Sequence, residues 1–167
     1  MTAPAQSPRR DELLERAYAY VLEHGLAELS LRPLARAIGS SPRVLLFLFE
    51  SKEALVRALL ARARRDELEM LERLAPGDDP VGALWGWLSA PEHRPLLTLW
   101  VEAYARSLTE PHGPWGGFAR DSVETWRRVL GGTEPEATRT LAVLRGALLD
   151  LLATGDIERT TAAVPGR

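Results

Sequence analysis

Apolar residues recur every three or four positions along most of the chain, and no segment alternates with a period of two over the length of a strand. The pattern predicts an all-α fold. A first helix follows Arg9 and Arg10, carries Leu14, Tyr18, Val21 and Leu22 on one face, and ends at Glu23-His24-Gly25. Ser30 is placed to cap a second helix, with Pro33 as the third helical residue, where its missing N–H has no intrahelical partner. Gly39 lies in the turn between Ala37 and Ser41. Ser41 and Pro42 then supply an N-cap and a first helical residue for a third helix.

A fourth helix opens at Glu50-Ser51-Lys52-Glu53, with Ser51 as its cap. It runs through Leu55, Leu59, Ala63 and Leu71 to about Leu74, and Pro76-Gly77-Asp78-Asp79-Pro80 stops it. Arginines 57, 62, 64 and 65 fill its first half, and Asp66, Glu67, Glu69 and Glu72 its second, as suits a helix that bridges two modules. Further helices are expected at Val81–Ser89, Glu92–Leu108, Phe118–Leu130 and Pro135–Ala153. The tail from Asp156 holds one more turn and then frays, and residues 1–8 form a patternless arm. The predicted architecture is a three-helix helix-turn-helix module, residues 1–52, joined by the long fourth helix to a small helical bundle, residues 53–167.

Two helices across a short Gly-containing turn make the plan that sets one helix into a DNA major groove. On the third helix Leu45, Leu48 and Phe49 should face the core, leaving Arg43, Val44, Leu46 and Phe47 outward. Arg43 can reach guanine O6 and N7 with its planar fork, whereas Leu46 and Phe47 can meet only thymine methyls or sugar carbons. Lys52 at the start of the fourth helix, Arg32 on the second, and Arg9 and Arg10 are candidate phosphate ligands, and Ser41 and Pro42 complete the predicted DNA-binding set. Charge supports this placement. Residues 1–65 hold 11 Lys/Arg against 7 Asp/Glu, and residues 66–167 hold 10 against 16.

Composition narrows the alternatives. The chain has no cysteine, which excludes disulfides and thiolate metal sites. His24, His93 and His112 share no ligand spacing, and no nucleophile elbow, Walker loop or dinucleotide fingerprint occurs, so neither an enzyme nor a cofactor is predicted. No apolar run approaches the ~18 residues of a membrane span, and MTAPAQSPRR has no apolar core, so no membrane partner and a cytoplasmic location are expected.

All five tryptophans lie beyond residue 80. Trp85, Leu97, Trp100, Tyr104 and Trp115 are candidates for the lining of a pocket for a small apolar or aromatic ligand, with Glu102, His93 or His112 as polar handles. Ordinary core is the competing use of the same residues. Likewise Val123, Trp126 and Leu130, together with Leu144, Leu148 and Leu151, suit a dimer made of two helices from each chain, or else burial within one bundle.

The N-terminal third, through LSLRPLARAIGSSPRVLLFLFESKEAL and the preceding helix ending EHG, resembles the TetR (tetracycline-repressor-like) family of bacterial regulators. The resemblance implies a homodimer whose third helices read a palindromic operator, and a C-terminal module in which a small molecule loosens the grip on DNA. Positions that usually carry tyrosine in that family correspond to Leu46 and Leu48 here, and the second module is short for the family. The sequence reading is thus a ligand-responsive repressor of double-stranded DNA operators. Its rival is a helical ligand-binding or protein-interaction module whose DNA binding is weakened or lost.

Overall fold

The computed structural model describes residues 8–27, 29–74 and 79–165. Among them the helices are α1 (Pro8–His24), α2 (Leu31–Ala37), α3 (Pro42–Phe49), α4 (Lys52–Leu74), α5 (Pro80–Ser89), α6 (Arg94–Thr109), α7 (Phe118–Leu130), α8 (Glu134–Thr154) and α9 (Ile157–Ala162). A 3₁₀ turn at Pro91–His93 leads into α6, and the described residues contain no strand. The all-α expectation holds. The N-terminal arm through residue 7, the break at 75–78 and the last two residues lie outside the described residues. No helix among those described is long and apolar enough to cross a membrane.

The chain packs as two compact units, Met1–Arg65 with Leu99–Gly117, and Asp66–Thr98 with Phe118–Arg167. The division falls inside α4 and again inside α6, so the packing does not follow a single cut after residue 52.

In the first unit α1 buries Leu13, Leu14, Ala17, Tyr18 and Val21 on one helical stripe. Leu34 and Ala35 of α2, Leu45 and Phe49 of α3, and Leu55, Val56 and Leu59 of α4 are buried as well. Ser30 takes the extended N-cap conformation, but its hydroxyl makes no capping bond. The reason is local: Pro33 sits at the third helical position and offers no N–H to a cap.

The turn after α2 closes as the sequence implies. Gly39 adopts φ +66°, Ser40 N–H donates to Ala35 O at 2.8 Å, and Gly39 N–H donates to Arg36 O at 3.4 Å. These are the paired bonds of a Schellman motif, which satisfy the carbonyls at the helix end. Ser41 then accepts the Val44 N–H on its hydroxyl at 3.2 Å, with Pro42 as first helical residue.

The second unit is built on a core of Met70, Leu71, Leu84, Trp85, Leu88, Leu97, Trp126, Leu141, Leu144, Leu148, Leu151 and Val164. The C-terminal segment is docked rather than frayed: Thr160 and Val164 are buried, and Arg159 grips both oxygens of Asp150 at 2.5 and 2.8 Å. That bidentate bond holds the Asp150 carboxyl below the ordinary aspartate range.

At Gly39 an added Cβ would meet only Arg16 Nη1, at 3.9 Å, so a substitution there is opposed by backbone conformation rather than by crowding. Gly39→Ala should therefore lower stability by about 1–2 kcal/mol in chemical denaturation, and Gly39→Asn by less. An unchanged unfolding midpoint for the alanine variant would contradict the left-handed turn.

Candidate nucleic-acid interface

Helix α3 is eight residues long, and two buried side chains one turn apart set its rotation. Leu45 and Phe49 are 1% and 3% exposed, and Leu48 is half-buried beside them. The opposite face is exposed: Arg43, Val44, Leu46 and, most of all, Phe47, which leaves 83% of its surface in solvent. The outward set is the one helical spacing requires once Leu45 and Phe49 are fixed.

The cations around this face differ in their availability. Arg32, Arg43 and Lys52 are exposed and form no ion pair among the described residues. Arg36, one turn beyond Arg32 on α2, is exposed in the same way and was not singled out from the sequence. The two arginines border a shallow surface depression with Pro33 and Ala37. Arg9 is exposed but bonded to Glu12 at 2.8 Å. Arg10 is half-buried, its guanidinium 4.8 Å above the Phe49 ring. It therefore helps hold α3 against α1 and is the weakest of the expected phosphate ligands. Ser41 and Pro42 are half-buried and serve as cap and first helical residue. The Ser41 hydroxyl is thereby already engaged.

Between α3 and α4 the chain turns on Glu50, at φ +69° and ψ −45°, and Ser51 N–H donates to Phe49 O at 2.8 Å. This is a positive-φ γ-turn, a rare and strained conformation for a residue with a side chain. Ser51 in turn caps α4 by accepting the Ala54 N–H at 3.0 Å. The recognition face is thus bounded by a Schellman turn on one side and a γ-turn on the other.

The candidate pocket residues divide between the two units. Trp85 and Leu97 belong to the core of the second, and Trp85 Nε1 donates to Thr161 Oγ1 at 2.9 Å. Trp100, Tyr104 and Trp115 belong to the first unit. Trp100 and Tyr104 are half-buried with ring centroids 5.1 Å apart, and Trp115 is buried beneath the Arg106 guanidinium. Of the proposed polar handles, Glu102 accepts the Leu26 N–H at 2.9 Å, His93 stacks on Trp87, and His112 is exposed.

Trp126, Leu144, Leu148 and Leu151 are buried in the second unit's own core, which leaves them no surface for a partner chain. Val123 and Leu130 are half-buried. The outer face of α8 instead exposes Ala142, Gly146 and Leu149. Glu67 is the residue in this unit whose role the charge pattern hid. It is 6% exposed and accepts bonds from Ser122 Oγ at 3.0 Å and Trp126 Nε1 at 2.5 Å.

The described residues are helical and present an exposed helix-turn-helix, the plan that sets a helix into a DNA major groove. Residues 13–59 match the family model described as bacterial regulatory proteins, tetR family. The match spans most of α1, all of α2 and α3, and the start of α4. Among solved structures, the chain is similar to the multidrug binding protein EbrR complexed with imidazole, at 22% identity and a TM-score of 0.72, covering 96% of this chain and 92% of that one. It is also similar to a transcriptional regulator from Rhodococcus sp. Rha1, at 23% identity and a TM-score of 0.73, covering 92% and 90%. These likenesses extend the shared fold over the whole chain. No curated protein matches it.

The strain at Glu50 has a measurable consequence. Glu50→Gly places at φ +69° the one residue that adopts it freely, and should raise stability by about 1 kcal/mol in denaturant titration. A loss of stability on that substitution would show that Glu50 is not held in a positive-φ turn.

Proposed function

We propose that this protein is a transcriptional repressor that binds a palindromic operator as a homodimer in the cytoplasm. A small apolar or aromatic ligand, bound in the C-terminal domain, would release it. The observation that carries the DNA-binding part is the exposed α3 face, with Arg43 flanked by Arg32, Arg36 and Lys52, in a module that matches a family of bacterial regulatory proteins. Arg43 supplies a bidentate base reader, and the flanking cations supply sequence-independent attraction to phosphates. The ligand part draws support from the fold shared with a multidrug binding protein. In this reading ligand binding favours a geometry of α4 in which the two α3 helices no longer match adjacent turns of the groove, and the release scales with that preference.

Dimerisation is assigned to the outer face of α8, where Leu149 is half-exposed beside Gly146, with Val123 and Leu130 of α7 contributing what surface they retain. Small residues on that face permit close approach of a second helix, and Leu149 supplies apolar area. A second reading, in which the protein is an interaction module with weakened DNA binding, is favoured by the exposure of Phe47.

Titration against DNA upstream of its own gene, at several salt concentrations, separates the two. Arg43→Ala should weaken specific binding by about 1–3 kcal/mol and leave non-specific binding unchanged. Lys52→Ala should weaken both and reduce the slope of log affinity against log salt by about one. If neither variant alters affinity, α3 is not the reading element, and an absence of salt-dependent DNA retention favours the interaction module. For the dimer, Leu149→Arg should convert the protein to monomer in sedimentation equilibrium without loss of helix content. A variant that stays dimeric moves the interface elsewhere.

A further inference from the structure

We infer that the exposed face of α3 reads thymine methyl groups, and that Phe47 and Leu46 fix the operator by requiring thymines within about two base steps of the guanine contacted by Arg43. This rests on the DNA-binding reading above and adds to it the chemistry of the bases.

Four side chains face outward from α3, and they form one contiguous patch, because Arg43, Leu46 and Phe47 are spaced by three and four residues and Val44 lies three before Phe47. Arg43 alone among them can hydrogen-bond. Val44, Leu46 and Phe47, at 39%, 42% and 83% exposure, are the most conspicuous apolar surface of the first unit. In the major groove adenine, guanine and cytosine present donors and acceptors, and only thymine presents an apolar group, its C5 methyl.

An apolar side chain pressed onto the other three edges strips a polar group of water and returns nothing, which is costly. Over a thymine methyl the same side chain gains by burial. The face therefore selects thymine in two ways, by attraction to the methyl and by rejection of unpaired donors. Helix rise sets the spacing. Arg43 and Phe47 are separated by about 6 Å along the helix axis, and a base step is about 3.4 Å.

The surrounding charge selects the occupant. Arg43 within the patch, Arg32 and Arg36 on the preceding helix α2 and Lys52 at the start of α4 are exposed without ion pairs among the described residues, so a polyanionic partner complements them. A protein partner for this apolar ridge would have to bury those cations or carry matching carboxylates. DNA neutralises them with its backbone while presenting methyls in the groove.

The test uses the full-length protein and the genomic DNA fragment that it retains most tightly, resynthesised with deoxyuridine in place of thymidine one position at a time. Uracil lacks only the C5 methyl, so the polar edges are unchanged. Each thymine that meets Phe47 or Leu46 should lose about fourfold in affinity on this exchange, the effect of one buried methyl. Phe47→Ala should abolish the difference between thymine and uracil at its own position while preserving it at the others. Phe47 is exposed, so the variant should keep its fold, and an unchanged circular dichroism spectrum checks this.

Specific binding that ignores every uracil exchange would overturn this inference while leaving the repressor reading intact. Equal loss in the wild type and in both Phe47→Ala and Leu46→Ala would overturn it as well, since the methyls would then act through duplex shape. Failure to retain any genomic fragment would overturn both readings and assign the apolar ridge to a protein partner.

Discussion

Everything the recognition helix presents depends on how Leu45 and Phe49 are buried. An eight-residue helix has little stability of its own, so its rotation about its axis is set by packing. With two anchors one turn apart, both nearly inaccessible, the helix has one rotational setting. The Arg10 guanidinium lies over the face of the Phe49 ring, which fixes the second anchor from the side of α1. Arg43, Val44, Leu46 and Phe47 face outward because the inward positions are taken. A substitution that loosened Leu45 would disturb the reading face without touching any residue in it.

The ends of α3 show two different ways of stopping a helix. At its start, glycine and serine do conventional work: Gly39 takes the left-handed conformation freely, and Ser41 accepts an N–H that the helix cannot satisfy internally. At its end a glutamate occupies φ +69°, where glycine would be unstrained. The burial of Phe49 before it and the Ser51 cap on α4 after it hold that conformation, since a relaxed Glu50 would displace one or the other. The link from α3 to α4 is short and over-determined. In the proposed mechanism that property would let the orientation of α3 follow α4.

Helix boundaries were legible because glycine, proline and capping residues punctuate this chain wherever the apolar period breaks. The Gly39 turn, the Ser41-Pro42 start and the Ser51 cap were each readable from one or two residues, as was the outward set on α3. What periodicity could not supply was the destination of each buried face. The spacing does carry a signal for Glu67: Ala63, Glu67, Met70 and Leu71 are separated by three and four residues, so the glutamate stands within the buried stripe of α4. Its charge suggested solvent, whereas Ser122 and Trp126 supply the donors that permit its burial. Those donors are more than fifty residues away in sequence, beyond the reach of any local pattern. For the same reason the sequence could not show that Trp115 packs beneath Arg106 in the first unit, or that Leu144 and Leu148 are used up in their own core.

The balance of forces on the α3 face follows from its composition. Lysine and arginine contacts to phosphate give affinity that every sequence shares and that falls steeply with salt. In the proposed reading, discrimination then comes from the few groups that would reach base edges, one guanidinium and three apolar side chains. A protein with this division depends heavily on charge for residence on DNA and on shape and methyl contacts for choice of site. The loss of hydroxyls at Leu46 and Leu48 pushes in the same direction, because a tyrosine there could add a polar contact and a leucine adds only area. Raising the salt therefore removes the shared attraction first and leaves the apolar contribution almost untouched. If α3 is the reading element, the ratio of specific to non-specific binding, rather than absolute affinity, is the quantity that such a surface would set.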